Sequence, residues 1–518
     1  MRRPSTLRLA GPLLVAALLA GCEAERDDRV LGIDATGTIV GRAYLDRDAN
    51  GREDPGDIAV GGLRIGLLRT ASGDTVATAT TNSEGGYVLA TIAVGDYIVV
   101  VDAGSIADSL EVAGIDSPAV TLGVNDTVQV LVRLGYRSIT IAEARAIGGT
   151  APVAVRGVAL NAWAAFGDST VHLADATGTI RAIRVAPSNF AAGDTVRVVG
   201  TPARSTGNQP VLTDATAFLI AAGSAPTPDS VSTNVAARAD GGARDAALVR
   251  IAGAMILDSR PSGTGDQVLT VDDGSGALEV VLDRSVAIPG TPQPGMLLDA
   301  TGVLVPSAAP AGRWHLKPRL AGDLRFDYPV VSVADARGLP NGRRVAVVGI
   351  ALNRWTTFGD STVHVADATG AIRAIRTTFA DFSPGDSIRV VGTAATTASG
   401  ERVLDSAIPS ILALGTPPTP RDVSTAAASA ATGAIEAALV RIVGAAVGDT
   451  ATTPTGDFRL TVDDGSGPLL VDLDRHAFTP AQRAPFVPGV TIDAIGLLVL
   501  DGSSWVLKPR STADLTAR

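Results

Sequence analysis

Residues 166–184 read FGDSTVHLADATGTIRAIR and residues 358–376 read FGDSTVHVADATGAIRAIR, differing at two of nineteen positions. The 192-residue offset also relates Trp163 to Trp355 and PTPDSVST (226–233) to PTPRDVST (418–425). Further along it becomes 191, which aligns VDDGSG at 271–276 with 462–467 and WHLKPR at 314–319 with WVLKPR at 505–510. A repeat of this length is one folded unit built twice, so any fold proposed for residues 138–325 must also serve 330–515.

Each copy divides again into two halves. Residues 343–404 contain RRVAVVGIALNRW, DSTVHVADATGAIRAIR, PGDSIRVVGTA and GERVL, and the other half runs ALVRIAGAMIL, LTVDDGSGALEVVLD, GMLLDATGVLV, GRWHLKP. Both give a long first strand, a hairpin, a connection, a fourth strand and a closing strand. Five short alternating strands in this order fit a small OB-like barrel. The expected fold is all-β, with OB-like barrels at 138–222, 226–325, 330–414 and 418–515. The pattern resembles the tandem OB-type domains of secreted or lipid-anchored bacterial proteins, some of which accompany extracellular nucleases. The hexapeptides fall on the fifth strand of the second barrel in each pair. They hold the chain's two lysines, Lys317 and Lys508. Alternation puts Trp314 with Leu316, and Trp505 with Leu507, on the face that caps a barrel core.

Ahead of the repeat, residues 37–135 carry period-2 strands such as GLRIGLLRT and GDYIVVVD between turn residues, which reads as a β-sandwich of about 100 residues. The run Asp46-Arg47-Asp48-Ala49-Asn50-Gly51-Arg52-Glu53-Asp54-Pro55-Gly56-Asp57 precedes Gly61-Gly62-Leu63-Arg64-Ile65, with Gly86-Tyr87-Val88-Leu89 and Gly95-Asp96-Tyr97-Ile98-Val99 further on. Together these resemble the B-type repeats of serine-aspartate surface adhesins and the wider prealbumin-like, collagen-adhesin B-type family. Asp46, Asp48, Asn50, Asp54 and Asp57 stand at positions 1, 3, 5, 9 and 12 of an EF-hand-like loop. With the Arg52 carbonyl they supply the hard oxygens that calcium requires. Some collagen-adhesin B-type domains carry a lysine–asparagine isopeptide cross-link, and residues 37–135 contain no lysine to make one.

The beginning of the chain assigns a compartment. Arg2, Arg3 and Arg8 precede the apolar run LAGPLLVAALLAGC (9–22), too short for an ordinary membrane span and suited to a secretion signal. Leu19-Ala20-Gly21-Cys22 resembles a bacterial lipobox, which makes Cys22 the lipidated first residue of the mature protein. It is the chain's only cysteine, so no internal disulfide exists. Residues 23–36 read as a tether. Glu23 stands where an inner-membrane retention aspartate would be, which points to the outer membrane or cell surface.

Composition limits what the barrels do. Net charge is −10, with arginines scattered rather than grouped, which disfavours nucleic acid as a partner and leaves a glycan or protein ligand. His172 and His364 are equivalent strand positions, with Asp175 and Asp367 three residues on and in poor geometry for a dyad. His315 and His476 have no histidine counterpart in the other copy, so zinc lacks its three or four ligands. G-x-S-x-G and P-loop motifs are absent, and no organic cofactor is implied. The DDGSG runs read as hairpin turns. The strand pattern accounts for 37–515 and leaves no stretch for a catalytic domain, so a non-catalytic surface scaffold or adhesion protein is expected. The alternative is a polymer-binding accessory protein, binding single-stranded nucleic acid or carbohydrate through Trp163, Arg181 and Arg184 and their twins Trp355, Arg373 and Arg376.

Overall fold

A computed structural model describes residues 35–114, 118–205, 207–308 and 310–518. The signal segment, Cys22 and nearly all of the 23–36 tether lie outside the described residues. Among those that are described, no helix is long and apolar enough to cross a membrane.

The N-terminal module is a two-sheet sandwich. The strand Thr36–Leu45 lies parallel to Thr127–Tyr136, with Leu45 opposite Leu134, and antiparallel to Gly86–Ala93. The facing sheet runs Thr75–Thr80, Arg64–Arg69, Gly95–Val101, Ala119–Leu122. Alternate residues from both sheets, among them Ile39, Ile65, Leu67, Leu89, Val99 and Leu134, fill the space between them. Tyr87 crosses this core and its Oη donates to the Val130 carbonyl at 2.9 Å. Burial raises the Tyr87 pKa to about 12, so the phenol stays a donor.

Residues 330–415 show the plan of a barrel. Arg344–Ala351 pairs with Val363–Asp367, which pairs with Gly370–Ala374. That strand lies parallel to Arg402–Ala413, which pairs with Ser387–Thr396. Ser387–Thr396 returns to Arg344–Ala351 and closes the ring. The order 1-2-3-5-4-1 is that of an OB barrel. Leu439–Thr452, Phe458–Asp463, Leu469–Leu473, Thr491–Asp501 and Ser504–Lys508 repeat it, as do the five strands between Leu248 and Lys317. In the first copy Val171–Asp175 and Gly178–Ile183 form the same hairpin as Val363–Asp367 and Gly370–Ala374, with His172 opposite Arg181. The all-β expectation holds: a sandwich is followed by closed five-stranded barrels. In the described barrels closure pairs both sides of each ring strand, which removes the usual route to edge-to-edge aggregation there.

The strand pattern did not show a short helix at the entrance of each barrel, Ile141–Ala146, Thr233–Arg238, Val333–Gly338 and Thr425–Ser429. Their N-termini explain the acidic hairpins. Asp273 accepts from the backbone N–H and hydroxyl of Thr233 at 3.0 and 2.8 Å, and Ser275 accepts from the Asn234 N–H. Asp464 and Ser466 do the same for Thr425 and Ala426, and Asp367 and Thr369 for Val333 and Ala334. These carboxylates are turn residues and at the same time caps for orphan helix donors.

Gly41 sets a testable limit on the sandwich. A Cβ there would lie 2.0 Å from the Val130 carbonyl oxygen and 2.4 Å from the Tyr87 ring. Gly41→Ala is expected to destabilise the N-terminal module by about 3 kcal/mol, at the upper end of overpacking costs. Thermal melting of the variant checks this, and an unchanged melt would contradict the packing described.

Candidate functional site

The acidic loop leaves the first strand at Asp46, whose side chain is 1% exposed. Carboxylate oxygens of Asp46, Asp48 and Asp57 all lie within 4.8 Å of one another. Asp46 accepts from the N–H groups of Asn50 and Gly51 at 3.2 and 2.9 Å, and Asp57 accepts from those of Arg47 and Asp54. Burial raises the Asp46 pKa, and those backbone donors oppose it. Arg133 approaches Asp46 at 3.4 Å. Asp54 stands apart from the trio, its Oδ2 accepting from Asn50 Nδ2 at 2.6 Å, and the Asn50 side-chain oxygen accepts from the Arg52 N–H. Of the six residues read as a calcium set, three carboxylates converge, while Asn50 and Asp54 tie the loop around them. A set of hard oxygens carrying like charges at this separation fits a divalent cation.

The six residues read as a binding face are spread among different tasks. Trp163 and Trp355 are half-buried, and each indole N–H donates to a backbone carbonyl at 3.2 Å, that of Val185 and of Thr377. Trp355 also packs against the third barrel's core and meets Phe379 edge to face at 5.2 Å. Arg373 makes two bonds to the buried Glu401 carboxylate, at 3.2 and 2.5 Å, and Arg376 pairs with Asp405. Arg184 is exposed and partnered. Arg181 differs from its twin. Among the described residues its guanidinium makes no hydrogen bond or ion pair, and it faces a cavity beside Trp314 rather than Trp163.

The hexapeptides act as joints. Lys508 Nζ lies 2.8 Å from Asp474 and 4.7 Å from the centre of the Phe358 ring in the preceding barrel. Arg510 grips Asp514 through Nε and Nη2, while Nη1 donates to the Leu352 carbonyl across the joint at 2.9 Å. In the first copy Lys317 sits 2.8 Å from Asp283 and 4.4 Å from the Phe166 ring, and Arg319 donates to Leu160 O at 2.8 Å. Trp314 and Leu316 are buried, as is Leu507, while Trp505 is half-buried. The apolar residues face the core as their alternation predicts, and Arg319 and Arg510, which could have flanked a stacking surface, bond carbonyls across the joint instead.

His172 and His364 are 1% and 0% exposed. His172 Nδ1 meets Asn161 Oδ1 at 3.0 Å and its Nε2 has no partner, while neither ring nitrogen of His364 has one. Burial holds both pKa values well below 6.5, and Arg373 and Lys508 add to the effect at His364. These rings are neutral packing elements, with Phe166 edge-on to His172. His315 is similarly lowered, to about 4, by burial and by Lys317.

The sign of the resulting pH dependence follows from linkage. A histidine that stays neutral when folded but takes up a proton near pH 6.5 when unfolded favours the unfolded state as pH falls. Between pH 7 and 5 each such ring costs about 2 kcal/mol. His364→Leu is expected to reduce the fall in urea midpoint over that range and to be at least as stable as wild type at pH 5. An unaltered pH dependence would show that His364 titrates in the folded state.

Residues 37–124 match the family described as SdrD B-like domain. No curated protein matches the chain. Among solved structures, the minor pilin GBS52 of Streptococcus agalactiae overlaps 20% of this chain and 46% of its own, at 16% identity and a TM-score of 0.16. The shaft pilin SpaA of Lactobacillus rhamnosus GG overlaps 37% and 96%, at 13% identity and a TM-score of 0.17. The Ifi202 HINa domain, solved in complex with 20-bp double-stranded DNA, overlaps 34% and 99%, at 12% identity and a TM-score of 0.20. The chain thus spans less than half of the first of these, and such partial overlaps say nothing about what it binds. The N-terminal module is an SdrD B-like domain followed by closed β-barrels.

Proposed function

We propose that this chain is a lipid-anchored, non-catalytic scaffold of the bacterial cell surface. The observation that carries this reading is the SdrD B-like module directly after the tether. The way the barrels use their polar groups supports it: the turn carboxylates Asp273 and Asp464 cap helices, the buried Glu401 pairs with Arg373, and the buried His172 and His364 are neutral and apart from carboxylates. Cys22 supplies the anchor, and the barrels hold binding surfaces for glycan or protein away from the membrane. In cells, the wild-type chain is expected to sediment with membranes and to be cut by protease added outside. Cys22→Ser is expected to abolish membrane association. A wild-type chain found in the soluble fraction would overturn the proposal.

Calcium is the ion proposed for the loop, held by Asp46, Asp48 and Asp57 with the Arg52 carbonyl, Asn50 and Asp54 around them. It would neutralise three clustered carboxylates and stiffen the module next to the tether. At a hundredfold excess over its dissociation constant, calcium is expected to stabilise this module by about 2.7 kcal/mol. Differential scanning calorimetry with calcium and with chelator measures this. Asp48→Asn is expected to remove most of the difference, and equal melting with and without calcium would dismiss the site.

A further inference from the structure

The two copies differ at one buried charge. Arg373 and Arg181 occupy the same register, opposite His364 and His172. Glu401, the partner of Arg373, corresponds to Gln209 at the 192-residue offset. The turns carrying these two residues are alike: Thr397 N–H bonds to Glu401 O and Ser205 N–H to Gln209 O, and each residue's own N–H bonds back to the hydroxyl of Thr397 or Ser205. The backbone is therefore held in place while the carboxylate is missing.

Arg181 is left half-buried, without a bonded counter-charge among the described residues. Its Nε is fully enclosed and unpartnered, and the charges of Asp245 and Asp168 reach it only without a hydrogen bond. Burial lowers its pKa, the expected mark of a cation short of compensation. Beside it is a cavity of about 610 Å³, lined by Arg181, Gln209, Ser205, Ser307, Arg313 and Trp314 among others, and none of its described lining residues is acidic. Trp314 is fixed as a wall by its N–H bond to the buried Asp245 at 2.8 Å. The hairpin that covers this side is longer than its twin: Pro306 pairs with Trp314 across it, whereas Leu500 pairs with Trp505 in the second copy. The volume is in the range of small-ligand sites.

We propose that this cavity is a binding site for a carboxylated sugar ring, a uronic acid, whose carboxylate takes the position on Arg181 that Glu401 fills on Arg373. The second copy is the internal template, a guanidinium bonded at two points by a planar carboxylate, which is the strong geometry for this pair. The ring lies along Trp314, and its hydroxyls meet Gln209, Ser205 and Ser307. Inorganic phosphate has no ring to lie along Trp314 and no carbon-borne hydroxyls to meet Gln209, Ser205 and Ser307.

Titration calorimetry of the whole chain with D-galacturonate tests this, with D-galactose and inorganic phosphate as comparisons. One saturable site per chain is expected, with galactose and phosphate each at least tenfold weaker. Gln209→Glu supplies the missing carboxylate from within and is expected to weaken galacturonate binding at least tenfold while melting no lower than wild type. Arg181→Gln, which removes the charge, is expected to weaken it as much. No galacturonate binding to the folded wild type, undiminished binding by both variants, or phosphate or galactose binding as tightly would each overturn the proposal.

Discussion

A lysine held between a carboxylate and a phenyl ring joins the two barrels of each pair. Lys508 and Lys317 are mostly enclosed, at 17% and 14% side-chain exposure, so their charges must be answered locally. Asp474 and Asp283 answer them from the same barrel, and Phe358 and Phe166 offer their ring faces from the preceding one. Removing one member of such a group leaves an uncompensated buried charge, which costs about 3–5 kcal/mol. The adjoining arginine bonds a carbonyl in the preceding barrel, and Leu352, Ala437, Leu439 and Leu497 form an apolar patch around the joint. The stretch where the two copies are most alike, from Phe166 or Phe358 onward, begins at this contact.

Satisfying polar groups internally is the common theme of the barrels. Short strands closed into small rings leave many turns, and the acidic turn residues are spent on the entrance helices instead of facing solvent unused. The same economy keeps His364 apart from carboxylates. His364 sits in apolar packing, and Asp367, three residues on, is occupied by the N–H of Val333 and by Thr369. Against this background Arg181, without a bonded carboxylate among the described residues, stands out, and so does the acidic loop of the N-terminal module, where three carboxylates cluster with Arg133 beside Asp46.

Strands, barrels and the B-like module were legible because their signals are local: alternation, turn residues and a long repeat. The entrance helices were not, since five or six residues make fewer than two turns and show no 3.6-residue period. Their trace is an N-cap Thr or Ser, at Thr140, Ser232, Ser332 and Ser424, completed as a capping box by Glu143 in the first. Trp163 and Arg181 read as a stacking face because OB-like barrels bind ligands on strands 2 and 3, where an aromatic ring and a guanidinium suit a polymer. The indole N–H is instead used by the Val185 carbonyl.

The amino-acid sequence determined the architecture, because alternation and duplication act over a few residues or by identity and need no knowledge of what lies opposite. Only the tertiary structure decided which charges are answered. TIRAIR and AIRAIR are nearly the same peptide, yet Arg373 has its carboxylate and Arg181 does not. The residue that makes the difference is 28 positions further along, just before a strand that only barrel closure brings alongside. Coulomb interactions depend on distance through space and on burial, and neither is written in the local sequence.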